Sequence, residues 1–273
     1  MAYQRILTIQ DISCIGQCSM TVALPILSAC GHEVCILPSA VLSTHTGGFG
    51  TPEVVDLSDR MQAISQHWKR QGITFGGIYT GYLGSTRAIA AAERIMEELL
   101  APGGKIIVDP AMADHGKRYR GLDRAYADRM KTLCLRADVM LPNLTEAAMI
   151  AGVDYEEDTD EAYIRRLLEK LGGRDVVLTG VCPEPGKTGA AIREEKAVSC
   201  YFHHCVDRSF HGTGDIFASA FTGAWLQGKK LPEAARIAAD YTYECIRKTV
   251  RNPAHWYGVK FETALPELIE MLK

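Results

Sequence analysis

Short, unbroken apolar runs alternate with longer segments whose apolar residues recur every three or four positions. This alternation limits the possible folds more than any other feature of the chain. Ile106-Ile107-Val108 and Val176-Val177-Leu178 are too short for helices and too uniformly apolar for strands with one wet face. They belong in a sheet covered on both sides. The strands predicted are 5–10, 33–37, 76–80, 105–109, 138–141 and 175–179, with helices at 20–29, 56–70, 87–100, 122–136, 146–151 and 161–171 between them. In the third helix Ile89, Ala92, Ile95, Met96 and Leu99 form one stripe. Such alternation implies a parallel α/β sheet with right-handed crossovers. After Gly180 the pattern changes to a hairpin, 188–193 with 197–203, followed by helices at 214–227, 232–249 and 266–273.

No Ser- or Pro-rich linker, charge block or repeat divides the 273 residues, so a single domain over 1–273 is expected. Thirty basic against 33 acidic residues leave a net charge of -3, without the basic footprint of a nucleic-acid binder. No apolar run approaches the ~18 residues of a membrane span. Met1-Ala2-Tyr3-Gln4-Arg5 leads straight into the first strand and reads as a start without a signal peptide. Nine scattered cysteines, an odd number, suit reduced thiols in a cytoplasm.

Ligands of open α/β sheets bind beyond the carboxyl ends of the strands. There this chain carries Asp11, Thr80-Gly81-Tyr82, Asp109-Pro110, Asn143 with Glu146, and Thr179-Gly180. Taken singly, each is equally a polar loop residue or a helix cap. The sharpest local signal is Gly212-Thr213-Gly214-Asp215 at the head of an apolar helix. Glycines there allow unusual backbone angles and close approach, and the helix N-terminus supplies N–H groups to an anion. A carboxylate beside an anion hole holds a static phosphate poorly. It is well placed to take a proton from a hydroxyl attacking a bound phosphoryl group. The plainer alternative is a turn followed by an acidic first-turn residue that suits the helix dipole.

These residues carry a resemblance that runs through nearly the whole chain. Gly212-Thr213-Gly214-Asp215 resembles the anion-hole and catalytic-base motif of the pyridoxal kinase family, within the ribokinase-like superfamily. Asp109-Pro110-Ala111-Met112-Ala113-Asp114 is similar to its Asp-Pro-Val-Met-Gly-Asp segment, and Leu141-Pro142-Asn143-Leu144-Thr145-Glu146 to its Thr-Pro-Asn-x-x-Glu. Thr80-Gly81-Tyr82-Leu83-Gly84-Ser85 and Ser43-Thr44-His45-Thr46-Gly47 resemble its substrate-side loops. The resemblance implies a three-layer α/β/α sandwich with a mostly parallel central sheet and no separate lid domain. It also implies ATP-dependent phosphorylation of the hydroxymethyl group of a vitamin B6 compound.

By the same resemblance Asp215 is the base, and Gly212, Thr213 and Gly214 form the anion hole. Asp109 and Glu146, with Asn143, organise Mg²⁺ partly through water. Asp114, Tyr119, Asn143 and Thr179 lie along the nucleotide, while Asp11, Thr46, Gly47 and Tyr82 face the pyridine ring. K⁺ is a further cation to test, and a homodimer is the family's habit. Two departures stand out: Asp11 replaces a common Ser, and Ala113 replaces the Gly of the Asp-Pro segment. A negative charge at Asp11 would favour a cationic vitamer such as pyridoxamine.

Other signals are weaker. Gly186-Lys187-Thr188 has five residues, not four, back to Gly180, and a strand pattern follows it in place of a P-loop helix. Cys200, His203, His204 and Cys205 split two and two across a period-2 strand, which argues against zinc. Asn143-Leu144-Thr145 is a formal sequon that needs a secretory route. Trp256 and Tyr257 fit core packing better than adenine stacking. Two rival functions remain: a hydroxymethylpyrimidine kinase, whose His-Gly-Thr-Gly runs into Cys where this chain has Asp215, and a ligand-binding sensor without catalysis.

Overall fold

The computed structural model describes residues 3–156, 160–206 and 208–273. Met1 and Ala2, where the N-terminal reading begins, lie outside them. The strands are β1 (Arg5–Ser13), β2 (Glu33–Leu42), β3 (Val54–Asp56), β4 (Phe75–Thr80), β5 (Leu100–Val108), β6 (Ala113–Asp114), β7 (Lys117–Arg118), β8 (Val139–Met140), β9 (Asp175–Val181), β10 (Lys187–Glu194) and β11 (Ala197–His204). The helices are α1 (Met20–Ala29), α2 (Ser58–Arg70), α3 (Thr86–Leu99), α4 (Arg124–Cys134), α5 (Leu144–Ala151), α6 (Glu161–Lys170), α7 (Thr213–Leu226), α8 (Leu231–Thr249) and α9 (Leu265–Met271).

Nine strands form one sheet in the order β11-β10-β9-β8-β5-β4-β1-β2-β3. The run from β2 to β9 is parallel, and the antiparallel strands stand at its edges: β3 beside β2, and β10–β11 beside β9. The unbroken apolar runs account for the layers. Alternate residues of each strand point to opposite faces. Leu7, Val108, Met140 and Leu178 pack with α2 to α6 on one side. Ile6, Ile107, Val139 and Val177 pack with α1, α7, α8 and α9 on the other. The chain is thus a three-layer α/β/α sandwich with a mostly parallel sheet.

Three short elements were not expected. β3 claims residues 54–56, so α2 begins at Ser58 and not at 56. β6 and β7 form a two-stranded ribbon after β5, turned by His115 and Gly116 at positive φ. Trp256 is 54% exposed and stacks on Phe49 at 4.7 Å, so core packing does not describe it. Among the described residues no helix is long and apolar enough to cross a membrane.

Candidate active site

One cavity of about 650 Å³ opens along the carboxyl edge of the parallel strands. All fourteen residues expected at a site line it. Asp11 comes from β1, Thr46 and Gly47 from the β2–β3 loop, and Tyr82 from the loop after β4. Asp109 follows β5 directly, and the β6–β7 ribbon adds Asp114, with Tyr119 just after it. Asn143 and Glu146 open α5, Thr179 lies in β9, and Gly212 to Asp215 open α7.

The way α7 begins leaves backbone N–H groups without a side-chain partner at the cavity. Helices α3, α4, α5 and α6 start on Ser85, Asp123, Asn143 and Asp160, whose side chains each accept an N–H of the first turn. Helix α7 starts on Gly212 at φ 81° and, like α1, α2, α8 and α9, has no side-chain cap; among these, its first residues line the cavity, where their N–H groups can meet a ligand. A Cβ on Gly212 would stand 2.2 Å from the Gln17 carbonyl oxygen, so only glycine fits there. Gly214 has nothing within 4 Å of its Cβ position and faces open space. Asp215, in the first turn, is half-buried and lines the cavity. Burial pushes its carboxyl up to about 7; a hydrogen bond from the Ser19 backbone opposes this, and the charge of Asp11 adds to it.

Glu146 is committed in several directions. Its Oε1 accepts the N–H groups of Met112 at 2.8 Å and Ala113 at 3.3 Å. Its Oε2 accepts that of Asn143 at 3.0 Å, while Asn143 Oδ1 accepts the N–H of Glu146 at 3.0 Å. The two residues form a capping box that also clamps the loop after β5 to α5. Asn143 Nδ2 donates to the Ala113 oxygen at 2.8 Å. Asp109 is buried, and desolvation followed by the charges of Glu146 and Asp215 holds its carboxyl well above the usual range. The charges of Glu146 and Asp215 thus both act on Asp109, and among the described residues no basic side chain forms an ion pair with any of the three. That all-oxygen donor set suits Mg²⁺, which takes one or two carboxylates and keeps its waters for substrate phosphates.

At the opposite end Asp11 is buried. Its Oδ2 accepts the Ser13 hydroxyl at 2.9 Å, and its Oδ1 has no partner among the described residues. Burial raises its pKa. Ser13, Ser19, His45 and His211 also line this end, and sequence reasoning did not single them out. The imidazole rings of His45 and His211 lie 4.8 Å apart, and His45 Nδ1 accepts the Gly47 N–H at 3.0 Å. Ser13 joins Asp11 because β1 runs on to Ser13, three residues beyond the strand expected at 5–10. The histidines lie within the 43–47 and 211–214 segments that carry the family resemblance, but come from separate loops, so nothing local pairs them.

The features set aside stay aside. Lys187 begins strand β10 and pairs with Glu184 at 2.6 Å, so Gly186-Lys187-Thr188 opens a strand and is not a P-loop. Among the described residues no three His, Cys, Asp or Glu side chains are grouped to hold a metal by themselves, the 200–205 cluster included.

The chain is similar to known proteins along most of its length. The family model described as phosphomethylpyrimidine kinase matches residues 53–259. A curated pyridoxine/pyridoxal/pyridoxamine kinase of Bordetella pertussis is 29% identical over 262 residues, covering 89% of each chain. The crystal structure of pyridoxal kinase from Lactobacillus plantarum superposes with a TM-score of 0.91 at 30% identity, covering 99% of this chain and 98% of that one. A Bacteroides thetaiotaomicron protein, described as a candidate phosphomethylpyrimidine kinase and crystallised with pyridoxal, gives 0.89 at 34% identity over 98% and 96%.

Proposed function

Because the chain belongs to the phosphomethylpyrimidine kinase family, on its pyridoxal kinase side within the ribokinase-like superfamily, we propose that it phosphorylates the 5′-hydroxymethyl group of a vitamin B6 vitamer with ATP. The observation that carries this reading is Asp215. It is a carboxyl group at the mouth of an uncapped, glycine-opened helix, in one cavity with every other expected residue.

In the step proposed, Asp215 accepts the proton of the hydroxymethyl O–H as that oxygen bonds to the γ-phosphorus. The bond to the β,γ-bridging oxygen breaks, and ADP departs. Charge growing on the phosphoryl oxygens meets the N–H groups of Gly212, Thr213 and Gly214. Asp109 is the carboxylate with room to hold Mg²⁺. The two oxygens of Glu146 already serve three backbone N–H groups, so its share passes through water. When bound, Mg²⁺ would neutralise phosphate charge. Asp114, Tyr119, Asn143 and Thr179 line the path of the triphosphate, and Tyr82, Asp11, Thr46 and Gly47 hold the ring. K⁺ is tested by replacing it with Na⁺. A cytoplasmic homodimer completes the reading, and light scattering on the purified protein checks the dimer.

Incubation with Mg-ATP and a panel of pyridoxal, pyridoxine, pyridoxamine, hydroxymethylpyrimidine and ribose tests the assignment by mass spectrometry. A phosphate gained only by the pyrimidine would replace the B6 reading. The pyrimidine earns its place because His211-Gly212-Thr213-Gly214 and the family model both touch that branch.

Two further outcomes are expected. The base works only when ionised, so kcat/KM should fall about tenfold per pH unit below about 7. A flat profile from pH 5.5 to 8 would remove Asp215 from the role. Asp11→Ser should shift relative kcat/KM from pyridoxamine toward pyridoxal, and an unchanged ratio would show that Asp11 does not select the vitamer.

A further inference from the structure

The turn between β1 and α1 holds strained backbone beside the site. Gln17 stands at φ 51°, and Ser19 at φ 52° with ψ −130°. The Ser19 angles lie outside the regions that main-chain sterics leave open to L-residues. Such conformations persist only where the surroundings over-determine them, and they gather where strain serves a purpose. Both strained residues reach the proposed base. The Ser19 backbone N–H donates to the Asp215 carboxyl, and the Gln17 carbonyl oxygen is the atom against which Gly212 packs.

What braces the turn comes from the C-terminal part of the chain. Gln17 Nε2 donates to both oxygens of Glu262, at 3.0 and 3.1 Å. A carboxylate only accepts, so this contact fixes which way the amide faces. Gln17 Oε1 is then turned to His255, whose Nε2 donates to it at 3.2 Å. Gly258 closes a third side at φ 59°, where a Cβ would stand 2.6 Å from Gln17 Cβ and 2.8 Å from the Gly16 oxygen. This segment is itself anchored. Val259 and Phe261 are buried among α1, α7, α8 and α9. The Lys260 N–H donates to Thr249 Oγ1 at 2.9 Å, and Tyr241 Oη donates to the Phe261 oxygen at 3.1 Å. Gln17, His255 and Glu262 are not among the residues lining the cavity, whereas Ser19 and Asp215 are.

We propose that Gln17, His255 and Glu262 are positioning residues, which hold the β1–α1 turn in its strained form and thereby set the Asp215 carboxyl against the α7 cradle. Released from Glu262 and His255, the turn relaxes toward ordinary angles. The Ser19 N–H then leaves Asp215, and the Gln17 oxygen no longer fixes Gly212. A misplacement of about 1 Å caused far from the chemistry can cost about a hundredfold in rate, and a partial release costs less. The proposal rests on the reading of Asp215 as the base, and it adds what sets that base in place.

The test begins at Glu262, whose side chain is exposed and tolerates exchange. Glu262→Leu should lower kcat about tenfold while KM for both substrates stays within about twofold of the wild type. Contacts this open to water add little stability, so the melting temperature should fall by no more than about 3 °C. Glu262→Gln keeps an acceptor for the Gln17 amide and should recover most of kcat. Gln17→Gly removes the brace and relieves the backbone together, so the melting temperature should hold while kcat falls. In an Asp215→Asn background Glu262→Leu should cost nothing further, because the two changes act through one group. Amide hydrogen exchange reads the same coupling without turnover. The Ser19 N–H should exchange at least about tenfold faster in Glu262→Leu, with the amides of α3 unchanged. Wild-type kcat in both Glu262→Leu and Gln17→Gly, unmoved exchange at Ser19, or a loss repeated in full without the Asp215 carboxylate would overturn the proposal. Faster exchange in a protein that phosphorylated no vitamer would instead sink the acceptor assignment alone.

Discussion

Asp215→Asn should lower kcat by roughly 10²- to 10⁴-fold, the usual worth of a positioned base, with ADP affinity close to that of the wild type. The same change should raise the melting temperature at pH 8. Burial lifts the Asp215 carboxyl from its ordinary 3.8 to about 7, so the folded protein holds that proton more tightly than the unfolded chain. For an acid shifted upward, the cost of burying the charge is fully present above about pH 7 and is relieved as pH falls toward 4. Asparagine is neutral throughout, so its stabilising effect should be clear at pH 8 and vanish near pH 4. Calorimetric melts at the two values check the sign. An Asn variant retaining a tenth of wild-type kcat would remove Asp215 from the chemistry and leave a binding protein on this fold.

Gly212→Ala should be nearly as damaging, by another route. The position sits at φ 81°, which costs an L-residue roughly 1–2 kcal/mol, and the new Cβ would meet the Gln17 oxygen at 2.2 Å. Gln17 is itself held at φ 51° and has little room to retreat. The first turn of α7 must move, carrying the cradle amides off their target, and loss of one such donor costs about 10²- to 10³-fold in kcat. Gly214→Ala makes the contrast. Its Cβ meets nothing within 4 Å, so it should leave the melting temperature alone while crowding the anion hole. If Gly212→Ala melted and turned over like the wild type, the close packing of α7 on the Gln17 turn would be wrong.

Most of the architecture was legible because the sheet is covered on both faces. A run such as Val176-Val177-Leu178 sends Val177 to one helical layer and its two neighbours to the other, and only a double-sided parallel strand uses it that way. β3 was not legible. It is three residues long, its Val54 and Val55 are 57% and 59% exposed, and its strand geometry comes from pairing with Ala40 to Leu42. The β6–β7 ribbon is shorter still and depends on a turn through His115 and Gly116. The site was readable for a topological reason: strand exits on one edge of a parallel sheet must converge, so polar residues there share a cavity. What escaped were meetings between loops far apart in the chain, such as His45 with His211, and Trp256 with Phe49.

The separation of the cavity's two ends by strand has an engineering consequence. Apart from His211, the residues proposed to face the ring are carried on loops that close before α3 begins, whereas Thr188, His203, Thr242 and Ile246 at the far end all come after β9 begins. A chimera exchanging only the earlier loops with those of another such enzyme would inherit a different acceptor and retain its own phosphate donor. The two preferences can therefore be evolved in separate libraries and recombined, with α7 as the shared part that neither library should touch.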